Sequence, residues 1–137
     1  MAAVTMVTRV QQLLQQRIDA ALREFDLTFA RYEILMLLTF SRQGQLPMSK
    51  IGSRLQVHPA SVTSAVERLE RQGFVQRDRT QADRRTVLAR ITPQGRHTAL
   101  AATEVLNAEV FADIGLGARE TRELTGLLAR IRGGLGD

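Results

Sequence analysis

The sequence predicts a mainly α-helical fold with one small β-hairpin. Two observations carry this. Apolar residues recur at three- and four-residue spacing through most of the 137 residues, in a composition with 3 Pro and 4% aromatics, so the core must be Leu, Val, Ile and Ala packed from helices. The exception lies between Phe74 and Ile91, where two short apolar runs flank a polar, arginine-dense loop, the pattern of a hairpin. A chain of this length buries one core, so residues 1–137 are read as a single domain.

Residues 5–25 predict an amphipathic helix, with Val7, Val10, Leu14, Ile18, Ala21 and Phe25 on one face. Asp26-Leu27-Thr28 breaks it, and Thr28 is placed to cap a second helix over 29–41. That helix is apolar nearly all round at Ile34 to Leu38, which makes it central and buried. Arg42 to Gln45 is a turn in which Gly44 provides the stop. Met48–Leu55 is a short helix with Ile51 and Leu55 one turn apart, and Gln56-Val57-His58 is the turn after it. Pro59 suits the first position of the next helix, where its missing N–H costs nothing. That helix runs to about Gln72 with Val62, Val66 and Leu69 inward, and Gly73 ends it.

Phe74–Arg77 and Val87–Ile91 are the two strands of the hairpin, joined by a loop too long for a tight turn. Thr92-Pro93 starts a helix that reaches about Asp113. Gly115 and Gly117 break the chain, and residues 118–132 form a last helix with Leu124, Leu127, Leu128 and Ile131 on its face. The tail from Gly133 reads as frayed. Two short helices around a tight turn, followed by a hairpin, make a winged helix-turn-helix with flanking helices.

Charge is concentrated in the same place. Residues 50–96 hold ten Lys/Arg against four acids, +6, whereas residues 1–49 net +1 and residues 97–137 net −2. A basic centre between weakly charged flanks points to a nucleic-acid face. Lys50 is the only lysine, which suits phosphate recognition by arginine but also follows from a GC-rich genome. In a helix-turn-helix the second helix enters the major groove, N-terminal residues first. With Val62, Val66 and Leu69 inward, Ala60, Ser61, Ser64, Arg68 and Arg71 face out, with Thr63 on the flank. Small and hydroxyl-bearing residues allow close approach to base edges, and Ala60 can meet a thymine methyl. An ordinary solvated helix face would look similar. The loop tips the balance: Arg84 and Arg85 between two strands suit a narrow, electronegative minor groove, and Asp83 could hold and aim the Arg85 guanidinium. Pro59, Ala60, Ser61, Thr63, Ser64, Arg68, Asp83, Arg84 and Arg85 are therefore the candidate DNA-binding residues.

Leu27 to Gly95 resembles the MarR (multiple antibiotic resistance regulator) family. The most specific pieces are LERQGFVQR (Leu69 to Arg77), then Asp83-x-Arg85, then Ile91-Thr92-x-x-Gly95. The resemblance implies a homodimer held by the first and the last two helices. It implies repression from a palindromic double-stranded DNA operator, and release by a small aromatic or phenolic effector bound between the dimer helices and the winged domain. The residues agree on the dimer: the helices in 1–27 and 96–137 carry more apolar stripe than one small domain can bury, leaving 28–95 as the DNA-binding core. Two positions depart from the family pattern. Pro47-Met48 and His58 stand where Thr or Ser caps are common, and a His at that place either makes an ordinary contact or titrates beside a phosphate.

An effector anion would want a cation or a phenol beside apolar residues. Arg17, Phe29 and Tyr32 are the candidates, with Phe25 and Met36 near them, although each also reads as core or solvated surface. Metal sensing is disfavoured because His58 and His97 stand alone, and with no cysteine there is no thiol chemistry. No cofactor is implied. An enzyme would need a nucleophile with its base, a metal set or a phosphate loop, and the sequence has none of these patterns. The remaining alternative is a winged-helix protein–protein module, which would not need arginine at the wing tip. No apolar run nears the roughly 18 residues of a membrane span, so a cytoplasmic protein is expected.

Overall fold

The structure is a computed structural model that describes residues 1–79 and 85–136. The helices are α1 Ala2–Leu22, α2 Phe29–Thr39, α3 Met48–Leu55, α4 Pro59–Arg71, α5 Pro93–Leu106 and α6 Ala118–Gly134. The strands are β1 Gln45–Pro47, β2 Val75–Arg79 and β3 Val87–Ile91. They form one antiparallel sheet in the order β1-β3-β2. The fold is the mainly α winged helix-turn-helix that the sequence predicts.

Helix α2 is the hub. Tyr32, Ile34, Leu35 and Leu38 are buried, and the helix contacts α1, α3, α4, α5 and β3. Its start is fixed by Thr28, whose hydroxyl accepts the Arg31 N–H at 3.2 Å. Helix α3 leans on it through fully buried Ile51, and α4 through Val62, Val66 and Leu69. Each such aliphatic side chain contributes about 1.5–3 kcal/mol on burial, so three of them fix which face of α4 turns outward. His58 does cap α4: its Nδ1 accepts the Ala60 N–H at 3.1 Å, and Pro59 follows at the first position. Helix α3 starts without a side-chain cap, as the Pro47 departure leads one to expect.

The sequence misses β1. Gln45–Pro47 pairs with β3 in the register Gln45↔Arg90, Leu46↔Ala89 and Pro47↔Leu88, which makes the sheet three-stranded. Three residues are too few to show an alternation, and a proline at the end argues against a strand unless, as here, it is at a sheet edge. Strand β2 is displaced to Val75–Arg79 from the expected Phe74–Arg77, which shortens the loop. Helix α1 spans Ala2–Leu22 and tightens into a 3₁₀ turn at Arg23–Phe25. Helix α2 stops at Thr39, two residues early, and leaves Phe40 80% exposed. The expected helix to Asp113 ends as α5 at Leu106, and a π-helical turn over Asn107–Phe111 rotates Val110 into the core. Helix α6 continues through Gly133 to Gly134, where the sequence suggests a frayed tail.

The start of α5 locks the sheet to the end of α4. The Thr92 hydroxyl donates to the Gly73 carbonyl at 2.7 Å and accepts the Gly95 N–H at 3.0 Å, while the Thr92 N–H donates to the Phe74 carbonyl at 3.0 Å. A Cβ on Gly95 would lie 2.2 Å from the Phe74 oxygen, so only glycine fits that close approach.

Candidate nucleic-acid interface

The buried stripe of α4 leaves Pro59, Ala60, Ser61, Thr63, Ser64 and Arg68 exposed, all in the helix that the sequence assigns to recognition. These residues divide between two concave surfaces. On one side Pro59 and Thr63 share a groove with Pro47, Met48, Arg77, Arg85 and Thr86, so the base of the wing and the start of α4 face the same space. On the other side Ala60, Ser61, Ser64 and Arg68 share a cleft with Thr28, Arg31 and Arg71. The Thr63 hydroxyl donates to the Pro59 carbonyl at 3.0 Å. Asp83 and Arg84, and with them the proposed Asp83–Arg85 contact, lie outside the described residues.

The wing is braced onto α4 through Arg77, chiefly by Glu70, with Glu67 Oε1 also 3.7 Å from Arg77 Nη1. Arg77 donates from Nε (3.2 Å) and Nη2 (3.0 Å) to Glu70 Oε1 and from its backbone N–H to Glu70 Oε2 (3.2 Å). These bonds from Arg77 hold the Glu70 carboxyl below the usual carboxylate range. A second arginine, Arg90 of β3, opposite Gln76, pairs with Asp78 of β2 at 2.7 Å. The LERQGFVQR segment thus codes for a brace: Leu69 anchors, Glu70 and Arg77 join helix to strand, and Gly73 turns the chain with φ 81°.

Sequence reasoning missed Thr28 and Arg31 as parts of this face. Thr28 shows in the sequence only as a cap, and nothing in the local pattern singles out Arg31. Arg31 Nη1 donates to the Asp26 carbonyl (3.0 Å) and to Gln72 Oε1 (2.9 Å), a contact spanning 41 residues of sequence that no local pattern can reveal. Burial, then the neighbouring Arg68, lowers the pKa of the Arg31 guanidinium, and Asp26 partly offsets them. Arg68 itself is tied to Asp26 at 3.2 Å, with side-chain exposures of 48% and 72%.

The effector candidates are only partly brought together. Phe29 and Tyr32 stack, ring centroids 6.0 Å apart and planes 20° from parallel. Tyr32 is buried, and its hydroxyl lies 2.7 Å from Thr103 Oγ1. The Thr103 hydroxyl also lies within hydrogen-bond distance of the Ala99 carbonyl (2.8 Å) and of Met36 Sδ (3.3 Å). Arg17 is exposed on α1 and shares no hydrogen bond with either ring among the described residues.

The MarR family profile matches residues 27–87. Over 100% of this chain and 95% of the other, the structure of Sco5413, a MarR family transcriptional regulator from Streptomyces coelicolor, superposes with TM-score 0.90 at 47% identity. This chain belongs to the MarR family. Its members are non-enzymatic DNA-binding transcription factors, and this MarR-family chain is a transcriptional regulator rather than an enzyme. It is also 27% identical over 103 residues to the HTH-type transcriptional regulator SarZ of Staphylococcus aureus, covering 75% of this chain and 68% of that protein. Sco3205 of Streptomyces coelicolor, solved in complex with DNA, shares the fold with TM-score 0.87 at 22% identity, over 99% of this chain and 87% of that one. Among the described residues no helix is long and apolar enough to cross a membrane, and no cluster of His, Cys, Asp or Glu could hold a metal ion.

Proposed function

We propose that this regulator is a cytoplasmic homodimeric repressor that binds a palindromic double-stranded operator through α4 and the wing. The observation that carries it is the outward face of α4, where Ala60, Ser61 and Ser64 lead and Arg68 follows, beside a groove that Arg85 also lines. Small leading residues bring the helix close to base edges, and the arginines supply phosphate and minor-groove contacts. Thr63 and Pro59 would approach from the wing side, Asp83 and Arg84 from the wing itself. Sco3205, which shares the fold, is solved in complex with DNA, and that supports a DNA-binding use of the fold.

Dimerisation through 1–27 and 96–137, with 28–95 as the DNA-binding core, has its own support. Val4, Val7, Val10 and Leu13 on α1 and Leu127, Leu128 and Ile131 on α6 are all at least 40% exposed, and α6 buries no residue. An apolar surface of that extent marks a partner site, and a second copy presents the same stripes in a self-complementary arrangement. A small aromatic anion is the proposed effector, taken between the dimer helices and the winged core near Arg17, Phe29 and Tyr32.

Selection of bound sites from random duplex DNA, followed by affinity against salt, tests the function. The expected result is an inverted repeat, bound with a steep fall of log affinity on log salt. Binding with no sequence preference and no salt dependence would instead favour a protein–protein module. Benzoate added to the operator complex tests the effector: release at millimolar concentration is expected, and full retention would remove the effector from the reading.

A further inference from the structure

The cleft beside α4 gathers three arginines, Arg31, Arg68 and Arg71, together with Thr28, Ser61 and Ser64, and no acid lines it among the described residues. Such a set suits a backbone phosphate. Arg31 is already held for the task. Its Nε donates to Thr28 Oγ1 (3.3 Å) and its Nη1 to the Asp26 carbonyl and Gln72, which leaves Nη2 for a further acceptor. One carboxylate reaches this cluster from the turn between α1 and α2. Asp26 sits there with φ 51°, a left-handed conformation that Asp tolerates better than most residues and that the surrounding bonds must hold. Its Oδ2 accepts from Arg68 Nη2 (3.2 Å) and Gln72 Nε2 (3.4 Å), and its carbonyl accepts from Gln72 Nε2 at 2.7 Å.

Asp26 therefore occupies, within the free protein, the place of an anion on Arg68. The pair is exposed, 48% on the arginine and 72% on the carboxylate, and exposed pairs contribute little, so a phosphate can displace it. We propose that Asp26 limits affinity for DNA by holding Arg68 as an intramolecular substitute for a backbone phosphate, which the duplex must displace on binding. This rests on the DNA-binding reading of α4. It assigns Asp26 a role that its place in a turn outside the helix-turn-helix does not suggest. Binding releases Arg68 to the phosphate and strands the carboxylate beside the negatively charged backbone, so the exchange weakens binding to every sequence rather than changing the site selected.

The test measures affinity of the full-length protein for the selected operator and for a random duplex across a salt series, in the wild type, Asp26→Asn and Arg68→Ala. Asparagine keeps the size and the tolerance for the left-handed turn but removes the charge. The expected result is that Asp26→Asn binds both duplexes several-fold more tightly at a salt slope close to that of the wild type, because the bound state makes the same phosphate contact in both. Arg68→Ala is expected to make the slope shallower by about 0.9. Weaker or unchanged binding by Asp26→Asn at an unaltered unfolding midpoint would make Asp26 a structural brace only and overturn the proposal. An unchanged slope in Arg68→Ala would do the same, because Arg68 would then never leave the pair. Should Asp26→Asn fold poorly, Asp26→Gly adopts the turn freely and is held to the same gain. Failure of the wild type to bind either duplex would sink the DNA-binding reading itself, a result separate from any difference among variants.

Discussion

The centre of this chain and its two ends both carry apolar stripes and use them differently. Between α2 and β3, Leu35, Leu38, Ile51, Val66, Leu69 and Ala89 are all fully buried, and the charged residues around them are braced to one another. In the first half of α1 and along α6 the same residue types stand in the open: Val4 is 71% exposed, Leu13 52% and Leu127 54%. The centre satisfies itself. The ends do not, and an apolar stripe left open along a whole helix is a statement about a partner. On the proposed reading, one part of the molecule reads DNA and the other sets how two such readers are spaced.

The sharpest way to break that comparison is to make the ends indifferent to a partner. Leu127→Asp combined with Leu128→Asp puts two charges on the stripe of α6, whose exposure means that the isolated fold loses little. Sedimentation is expected to show a 15.3 kDa monomer. Operator affinity is expected to fall by about 10²–10⁴, the gain that linking two binding modules supplies. A dimer that survives this variant would place the interface elsewhere.

Gly95→Ala tests the centre. The new Cβ would meet the Phe74 carbonyl oxygen at 2.2 Å, a backbone atom that cannot rotate away. Overpacking typically costs about 1–3 kcal/mol, and a backbone obstacle puts this site at the upper end. Thermal unfolding is the measurement, and unchanged stability would show that the α5 start is free to slide. Because α5 carries both the sheet junction and contacts to α1, the loss is expected to weaken dimer and DNA binding together.

These two sites also mark how far the sequence could be read. The exposed stripe was visible at Leu124, Leu127, Leu128 and Ile131 because helical periodicity is local. Gly95 was visible only in the Ile91-Thr92-x-x-Gly95 piece of the family resemblance, and the reason for it, the Phe74 carbonyl 21 residues earlier, was not. Strand β1 escaped because three residues ending in Pro47 carry no period. The Asp26, Arg31, Arg68 and Gln72 cluster escaped because its bonds join residues more than 40 apart. Residues that obey a local rule announce themselves; residues that only meet in the fold do not.

A smaller effect separates the wing from α4. Arg85→Ala removes a cation from the groove shared with Pro59 and Thr63. Operator affinity is expected to drop by roughly 1–3 kcal/mol, the scale of one specific groove contact, with stability unchanged. Equal affinity in a folded dimer would mean that α4 reads DNA without the wing.

The smallest effect concerns the brace between those two parts, and its sign follows from chemistry. Arg77 holds the Glu70 carboxyl below its usual range, so the ionised form is the one the fold favours. Such a group stabilises fully above its unfolded value, about 4.3, and that contribution is lost as the pH falls through the lower folded value. Side-chain exposures of 32% on Arg77 and 38% on Glu70 leave the pair largely screened, which limits it to about 0.5–1 kcal/mol. Glu70→Gln is therefore expected to unfold slightly earlier than the wild type at neutral pH and to converge on it as the pH falls through the lowered folded value of Glu70. A stability difference that stayed constant across that range would show that packing, rather than the charge on Glu70, joins the wing to the recognition helix.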